Sequence, residues 1–291
     1  MNQLSPDYYR DESADESMAN TEASIDYIRK IDPKFSLVSP IITPRFAPSC
    51  SSDLLTRLGK LAKESDLPIQ THMSENLAEV ALVKELFPGH ESYAHVYDAH
   101  GLFTNRTILA HCIHISEEEV KLCAEKGVGI AHCPISNTGL TSGEAKVRWI
   151  IEGGVKVGLG TDCSGGYSPS ILESARQASN VSRHVCMKST LETKETPQLA
   201  LAEILYLATM GGAEVCALQD RVGNFLVGKE FDALLIDPGV KGGNVDIFEE
   251  DAQDWDRVLS KWAFNGYVFL EYFLIRVEMT GIFRRCGFKE D

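Results

Sequence analysis

The sequence Val155–Gly166, VKVGLGTDCSGG, decides the predicted fold class of this chain. Its first half is a short run rich in valine and leucine without polar alternation, and this pattern predicts a strand that is buried on both faces. The run leads to Asp162 and then to a glycine-rich turn. A carboxylate at the carboxyl end of a buried parallel strand is typical of the mouth of an α/β barrel, where reactive side chains collect.

Three earlier runs end in the same way. His72 lies near the end of PIQTHMSE, His111 near the end of TILAHC, and His132 near the end of GVGIAHCP. The carboxyl ends of parallel strands meet at one edge of a sheet. Four predicted strands that each end in histidine or aspartate therefore indicate a functional site at that edge.

Strand and helix patterns alternate along most of the chain, which is typical of parallel βαβ units and predicts the α/β class. The predicted strands cover residues 35–46, 68–75, 107–112 and 127–134, with a fifth starting at 155. Helices are predicted in 1–33, after Ser51, and in 79–87, 116–127, 143–152, 168–181 and 199–218. A polar loop with three surface histidines is predicted at 90–100. Residues 228–237, GKEFDALLID, have no helix after them and predict a strand of a separate small β element.

The charge, apolar content and cysteine pattern of the sequence argue against several classes of protein. The net charge of -14 and the pI of about 5.0 argue against a nucleic-acid partner. The polar, acidic N-terminus is unlike a signal peptide, and no apolar run is long enough for a membrane span, so we expect a cytosolic protein with reduced cysteines. The eight cysteines include no C-x-x-C pair, which argues against cysteine-ligated zinc sites.

The motif THMSE suggests metal chemistry. His72 at a strand end is a natural metal ligand, and Glu75 three residues later is placed to move protons to and from a metal-bound water. A core histidine followed by a helix-capping glutamate explains the motif equally well.

Asp162 is the strongest single candidate. A buried carboxylate needs a charged partner because burying it alone is costly, and a metal ion or a water held by one supplies that partner. Gly160, Gly165 and Gly166 would let the backbone approach a ligand. The alternative is the N-cap of the helix from Ser168, but Asp162 precedes it by several residues.

The remaining histidines are more ambiguous. His111 is either a site residue or a buried histidine bonded to a backbone carbonyl. His114 is predicted to lie in a loop, outside an H-x-x-H metal pair, and His132 to be a structural residue or a support for the site.

Arg45 and Phe46, in TPRF, end the first predicted strand. Arg45 would offer planar donors to a substrate and Phe46 a stacking surface, although a surface arginine fits as well. Cys112, Cys133 and Cys163 each follow a site candidate and are predicted to pack away from the mouth.

The motifs TPRF, QTHMSEN, LAHC, AHCPISN and GLGTDCSGGYSPS, in this order, resemble the amidohydrolase superfamily and, within it, the guanine deaminases. The resemblance covers roughly residues 10 to 262. It implies a (β/α)8 TIM barrel with a small β-sandwich, a homodimer, a bound zinc ion, and hydrolysis of guanine to xanthine and ammonia.

The resemblance also implies roles for individual residues. His72 and Asp162 would bind the metal, and Glu75 would shuttle protons. His111 would stabilise the attacking water or the tetrahedral centre, and Asp162 would accept a proton. Arg45 and Phe46 would hold the purine, with His72, Glu75 and Asp162 also touching it.

The sequence departs from the family pattern at both ends. No H-x-H pair occurs, so only two protein ligands would remain, whereas a catalytic zinc usually has at least three. We therefore expect an incomplete barrel in residues 1–222, a β-sandwich remnant in 223–262 and a divergent tail in 263–291.

Three functional hypotheses follow. The first is a zinc-dependent guanine deaminase. The second is an inactive fragment that acts at most as a dimerisation partner. The third is an amidohydrolase acting on another amino- or chloro-substituted heterocycle, over which Arg45 with Phe46 favours guanine.

Overall fold

The computed structural model of the chain describes residues 1–188, 198–237 and 254–265. The chain divides into two compact units, residues 1–232 and residues 233–291. The first unit contains the sheet and the candidate site. The second contributes one described α-helix, Trp255–Ser260, followed by a π-helical turn at Lys261–Asn265.

Four parallel strands form the sheet in the described part of the chain. Their order in the sheet is their order in the sequence: β1 (Ile69–Met73), β2 (Thr107–His111), β3 (Gly129–His132) and β4 (Lys156–Leu159). The register pairs Met73 with His111 and His132 with Leu159, so the carboxyl ends of the strands are aligned. The prediction of a parallel α/β sheet is confirmed.

Helices follow the strands, as expected for βαβ units. In chain order they are α1 (Ala14–Ile31), α2 (Ser52–Ser65), α3 (Leu77–Leu86), α4 (Tyr93–Ala99), α5 (Glu117–Lys126), α6 (Pro134–Gly139), α7 (Val147–Glu152), α8 (Ile171–Lys188), α9 (Leu201–Tyr206) and α10 (Gly212–Val215), with α11 being the helix at Trp255–Ser260. Short 3₁₀ turns lie at Asp7–Tyr9 and Ala47–Ser49, and a π-helical turn at Leu207–Gly211 links α9 to α10.

Local capping fixes where the helices next to the site begin. Asn76 and Glu79 form a capping box on α3, and Ser116 and Glu119 form the predicted one on α5. Gly127 then ends α5 in the left-handed conformation, as predicted for the turn into β3.

The prediction of a regular strand at residues 35–46 is wrong. Residues 35–46 contribute only an isolated parallel bridge, between Ile42 and Ile69. Pro40 and Pro44 interrupt this segment, and proline cannot donate a ladder hydrogen bond. The segment nevertheless runs beside β1, because Gln70 N–H donates to Ile42 O at 2.9 Å.

The predicted polar loop at 90–100 is also wrong, since α4 occupies most of it. His100 is buried instead of exposed, with Nδ1 2.6 Å from Val96 O and Nε2 2.8 Å from Ser52 Oγ. The ring therefore fastens the end of α4 to the start of α2.

The C-terminal part differs from the predicted β element. Residues 228–237 form no strand within the described ranges; an isolated backbone bond joins Glu230 N–H to Arg221 O at 2.8 Å. A strand needs a neighbouring strand to satisfy its ladder, and none pairs with this segment there. Most of the predicted sandwich remnant and nearly all of the predicted tail lie outside the described residues, so the boundaries at 222 and 262 stay predictions.

Within the described residues, none of the helices has the length and apolar character needed to cross a membrane.

Candidate active site

Three of the predicted residues come together at the carboxyl edge of the sheet. His72 on β1, His111 at the end of β2 and Asp162 just after β4 each place one potential ligand atom within 4.8 Å of the others. His111 is buried, and the other two are half-buried. The rings of His72 and His111 stack with their centroids 5.3 Å apart.

The backbone leaves ordinary strand geometry at these positions. Positive φ angles occur at Ser74 (52°), His111 (71°), Cys112 (49°) and Asp162 (45°). Non-glycine residues seldom adopt this region, and clusters of such residues are typical of functional sites. His72 pairs with Ala110, so regular strand alternation would place the His111 side chain on the opposite face of the sheet from His72. The left-handed backbone at His111 breaks this alternation, and the His111 ring lies beside the His72 ring.

Two glycines make room for the turn that carries Asp162. A Cβ on Gly165 would lie 2.5 Å from Asp162 Oδ2, and one on Gly166 would lie 2.1 Å from Thr161 O. The Thr161 carbonyl belongs to the backbone and leaves no room for a side chain on Gly166, whereas a side chain on Gly165 would push the Asp162 carboxylate out of its position. Gly165 and Gly166 were predicted to make room for a ligand. In the structure they make room for the close-packed turn formed by Thr161 and Asp162.

The tautomer of His72 is fixed by a backbone acceptor. Its Nδ1 lies 2.6 Å from Arg45 O, and a carbonyl oxygen can only accept, so Nδ1 carries the hydrogen and Nε2 keeps its lone pair. Tyr97, which is buried, donates its hydroxyl to His72 O at 2.7 Å and holds the strand from the other side.

Burial is the largest cause and lowers the pKa of the His72 imidazole. The hydrogen bond to Arg45 O and the Asp162 carboxylate raise this pKa, whereas the charges of His111 and Arg45 lower it. A neutral imidazole is the form that binds metal. His72 is thus prepared as a ligand in both tautomer and charge.

His111 shows the same arrangement with a side-chain partner. Its Nδ1 lies 2.8 Å from Asn137 Oδ1, and its buried Nε2 has no hydrogen-bond partner among the described residues. A buried unsatisfied nitrogen is costly unless something fills its position. With a second imidazole and a carboxylate beside it, this donor set fits a metal ion, and it contains one potential donor atom more than the two predicted ligands supply.

Glu75 faces the same donor set. Its Oε2 is 3.7 Å from His111 Nε2, and its Oε1 accepts a hydrogen bond from Ser142 Oγ at 3.0 Å. His114 lies outside the donor set, as predicted, and its Nε2 is 3.0 Å from Ser142 O. The loop that carries Ser142 is thereby held against the site.

Glu75 does not cap helix α3. The capping carboxylate is Glu79, whose Oε2 accepts the backbone N–H groups of Glu75 at 2.9 Å and Asn76 at 3.3 Å. The capping alternative for Glu75 is therefore wrong, and its own carboxylate is available to the site.

His132 is fully buried and lies outside the three-residue donor group. Burial, with a smaller contribution from His111, lowers its pKa to about 3. Neither ring nitrogen has a hydrogen-bond partner among the described residues.

Arg45 and Phe46 lie beside the donor set. Arg45 is exposed and Phe46 half-buried, and the carbonyl of Arg45 also accepts the backbone N–H of His72 at 3.2 Å. TPRF thus has a structural role through its backbone, and substrate contacts by the two side chains stay a prediction.

The cysteines beside the site are not activated nucleophiles. Burial raises the pKa of Cys112 well above its usual value and that of Cys133 to about 12. Cys163, however, is exposed, so the prediction that it is a packing residue is wrong.

Sequence patterns missed three supporting residues: Asn137, Ser142 and Tyr97. Asn137 belongs to the AHCPISN motif, but its contact with His111 spans 26 positions of sequence. Ser142 and Glu75 are 67 positions apart. Hydrogen bonds over such separations depend on how the strand ends assemble and leave no local periodicity.

Comparisons with known proteins agree with this geometry. The model of the amidohydrolase family matches residues 2–266. The chain is 52% identical to the probable guanine deaminase of Schizosaccharomyces pombe, covering 91% of this chain and 50% of that protein. It is 45% identical to the guanine deaminase of Dictyostelium discoideum, covering 91% of this chain and 57% of that protein.

A solved structure is also similar. The guanine deaminase of C. acetobutylicum, with guanine bound in its active site, superposes with a TM-score of 0.79 at 37% identity, covering 90% of this chain and 59% of that one. The chain spans about half the length of the curated relatives it matches. A family match over nearly the whole chain, together with the donor set at the carboxyl edge of a parallel sheet, shows that the chain belongs to the amidohydrolase family.

Proposed function

We propose that this protein is a zinc-dependent guanine deaminase that hydrolyses guanine to xanthine and ammonia. The observation that carries the proposal is the meeting of His72, His111 and Asp162 within 4.8 Å, with Glu75 Oε2 3.7 Å from His111 Nε2. Similarity to a deaminase that binds guanine supports the choice of substrate.

His72 and Asp162 are the residues that would hold the zinc ion, with His111 beside them in the donor set. Zinc in such a set lowers the pKa of water, and so supplies hydroxide at neutral pH. In the net reaction, the water oxygen bonds to the amino-bearing ring carbon while the bond from that carbon to the amine breaks. One hydrogen of the water ends on a ring nitrogen and the other on the leaving ammonia.

The chain's own residues move these protons. Glu75 is the general acid–base: it takes one proton from the attacking water and delivers it to the ring nitrogen. The hydroxyl of Ser142 holds Oε1, which keeps Oε2 directed at the reacting groups. Asp162 accepts the second proton of the water during attack, and this proton passes through Glu75 to the leaving amine. The His111 imidazole stabilises the attacking water or the tetrahedral centre.

Arg45 and Phe46 are the proposed purine contacts. A guanidinium offers planar donors to a ring carbonyl or nitrogen, and an aromatic ring stacks on a heterocycle. The position of TPRF along β1, next to His72, supports this assignment.

Further parts of the proposal rest on the resemblance and on composition. We infer that the four strands belong to a (β/α)8 barrel and that the protein acts as a homodimer in the cytosol. The net charge of -14 supports a small-molecule substrate over a nucleic acid.

The test compares the 291-residue chain with Glu75→Gln after both are loaded with zinc, with xanthine and ammonia measured together. Removing a general acid–base residue should lower kcat by about 100-fold or more. Glu85→Gln, an exposed glutamate on α3, is the matched control and should leave the rate unchanged.

Three outcomes would contradict the proposal. Equal rates for wild type and Glu75→Gln would remove Glu75 from the mechanism. A zinc-loaded chain without guanine turnover would favour the inactive-fragment hypothesis, and faster hydrolysis of a chloro-substituted heterocycle would favour a different substrate.

A further inference from the structure

A serine hydroxyl and a histidine ring form a hydrogen-bonded pair that lies outside the donor set described above. Ser52 is the first residue of α2, and its Oγ lies 2.8 Å from Nε2 of His100, the residue that follows α4. Ser52 is exposed, whereas His100 is only 7% exposed. The Ser52–His100 pair therefore joins a hydroxyl that solvent reaches to a ring that the core holds.

A backbone acceptor fixes the tautomer of His100. Its Nδ1 lies 2.6 Å from the carbonyl oxygen of Val96, which can only accept, so Nδ1 carries the hydrogen. Nε2 keeps its lone pair, and the Ser52 hydroxyl donates to it. A hydroxyl that donates to a base, with the base oriented by a third group, is the arrangement that activates serine as a nucleophile.

Packing holds both members of the pair in place. The ring of Phe87 meets the His100 ring edge-on, with the centroids 6.0 Å apart and the planes at 82°. Helix α2 approaches the backbone of His100 so closely that a Cβ on Gly59 would lie 2.0 Å from His100 O. The helix that carries Ser52 and the ring that faces it are thus fixed relative to each other, as a positioned proton transfer requires.

The pair opens onto a cavity, which separates it from a purely structural tie between two helices. Ser52 lines a cavity of about 410 Å³, a volume typical of sites for small molecules. Leu86, Phe87 and Pro88 form an apolar wall, and Gln3 adds a polar group. An apolar wall beside a nucleophilic hydroxyl suits a small ester with an aromatic leaving group.

We propose that Ser52 is a second reactive site of this protein, a nucleophilic hydroxyl that takes the acyl group of a small aryl ester bound in this cavity. Ser52 Oγ bonds to the acyl carbon, its proton passes to His100 Nε2, and the bond from the acyl carbon to the leaving oxygen breaks. His100 then gives the proton to the leaving oxygen. The products are Ser52 acylated on Oγ and the free phenol.

The test follows the reaction of the 291-residue chain with p-nitrophenyl acetate. Absorbance measures the release of p-nitrophenolate, and peptide mass spectrometry measures acetylation at each serine. The internal reference is Ser24, an exposed serine on α1 whose Oγ donates to Asn20 O. Ser52 should be acetylated about 100-fold faster than Ser24 or more, because a positioned base assists its attack.

Two variants separate the roles of the pair. Ser52→Ala should lose the fast release of p-nitrophenolate, and His100→Gln should slow acetylation of Ser52 by about 100-fold. Ser24→Ala is the matched control and should react like wild type.

Two results would overturn the proposal: acetylation of Ser52 no faster than that of Ser24, or an unchanged rate at Ser52 in folded His100→Gln. If His100→Gln fails to fold, the comparison of the two serines within the wild-type sample decides. The reaction needs neither zinc nor guanine, and Ser52→Ala should leave the zinc content unchanged. Failure of this proposal is therefore distinguishable from failure of the proposed deaminase function.

Discussion

At the residue scale, His132 shows how strongly the core disfavours charge. Its ring is buried at the end of β3, and both nitrogens lack hydrogen-bond partners in the described structure. Burial lowers its pKa from 6.5 to about 3. The folded chain therefore resists protonation of this ring at pH values where the unfolded chain accepts it.

This difference predicts a pH-dependent stability of the metal-free chain. Above pH 6.5 neither state binds the proton, so the stability is fully present. Between pH 6.5 and about 3 the unfolded state binds it and the folded state does not, so the free energy of unfolding falls as the pH falls. The loss from His132 between pH 6.5 and pH 5 should be about 2 kcal/mol.

Urea unfolding at pH 7 and pH 5 measures this loss. His132→Gln, which does not titrate, should show a loss smaller by about that amount. His95→Gln removes a half-exposed histidine on α4 and should behave like wild type. An equal loss in wild type and His132→Gln would show that other groups cause the pH dependence.

Individual site residues were predictable where a sequence pattern marks a strand end. His72, His111 and Asp162 each close an apolar run, and the structure brings them together. Asn137 was not predictable in this way, because α6 places it against a strand that lies 26 positions earlier. The motif LAHC likewise gives no indication that the backbone of His111 adopts a left-handed conformation, with φ of 71°.

At the element scale, the sheet packs directly on helix backbone. A Cβ on Gly158 of β4 would lie 2.8 Å from the Cα of Gly212, where α10 begins. A Cβ on Gly129 of β3 would similarly lie 3.0 Å from the Cα of Val215. Small residues on these strands let α10 approach the sheet, below the edge that carries the site.

Gly158→Ala should therefore destabilise the fold by about 1–3 kcal/mol, because the backbone of α10 must move to admit the methyl group. Gly89→Ala, where a Cβ meets nothing within 4 Å, is the matched control and should change stability by no more than about 0.5 kcal/mol. Urea denaturation of both variants measures the difference. Equal stabilities would contradict the close packing of β4 on α10.

Element prediction succeeded where caps and periodicity agree, as in α5 with its box of Ser116 and Glu119. It failed for residues 35–46, where an apolar composition suggested a strand but Pro40 and Pro44 remove backbone donors. It failed again for α4, which is short and whose N-cap residue, Ser92, makes no side-chain capping bond. In both cases the outcome depends on neighbours that a local pattern does not contain.

At the scale of the whole molecule, the ends of three strands from distant parts of the sequence, β1, β2 and β4, bring the donor residues of the candidate site together. The fold class was predictable because each βαβ unit repeats the same pattern of buried strand, turn and amphipathic helix. The resemblance implied His72 and Asp162 as metal ligands, and the sequence does not show that the imidazole of His111 lies within 4.8 Å of both. His111 joins His72 and Asp162 only once β2 has paired with β1 and turned at its last residue.

The most direct test of the metal-dependent account is the zinc content of the purified 291-residue chain, compared with that of Asp162→Asn, after equilibration in the same zinc buffer. The wild-type chain should hold about one zinc ion, and the variant, with one carboxylate ligand removed, should be folded and hold much less. A wild-type chain without zinc, or equal zinc in both proteins, would contradict a metal site that His72 and Asp162 build.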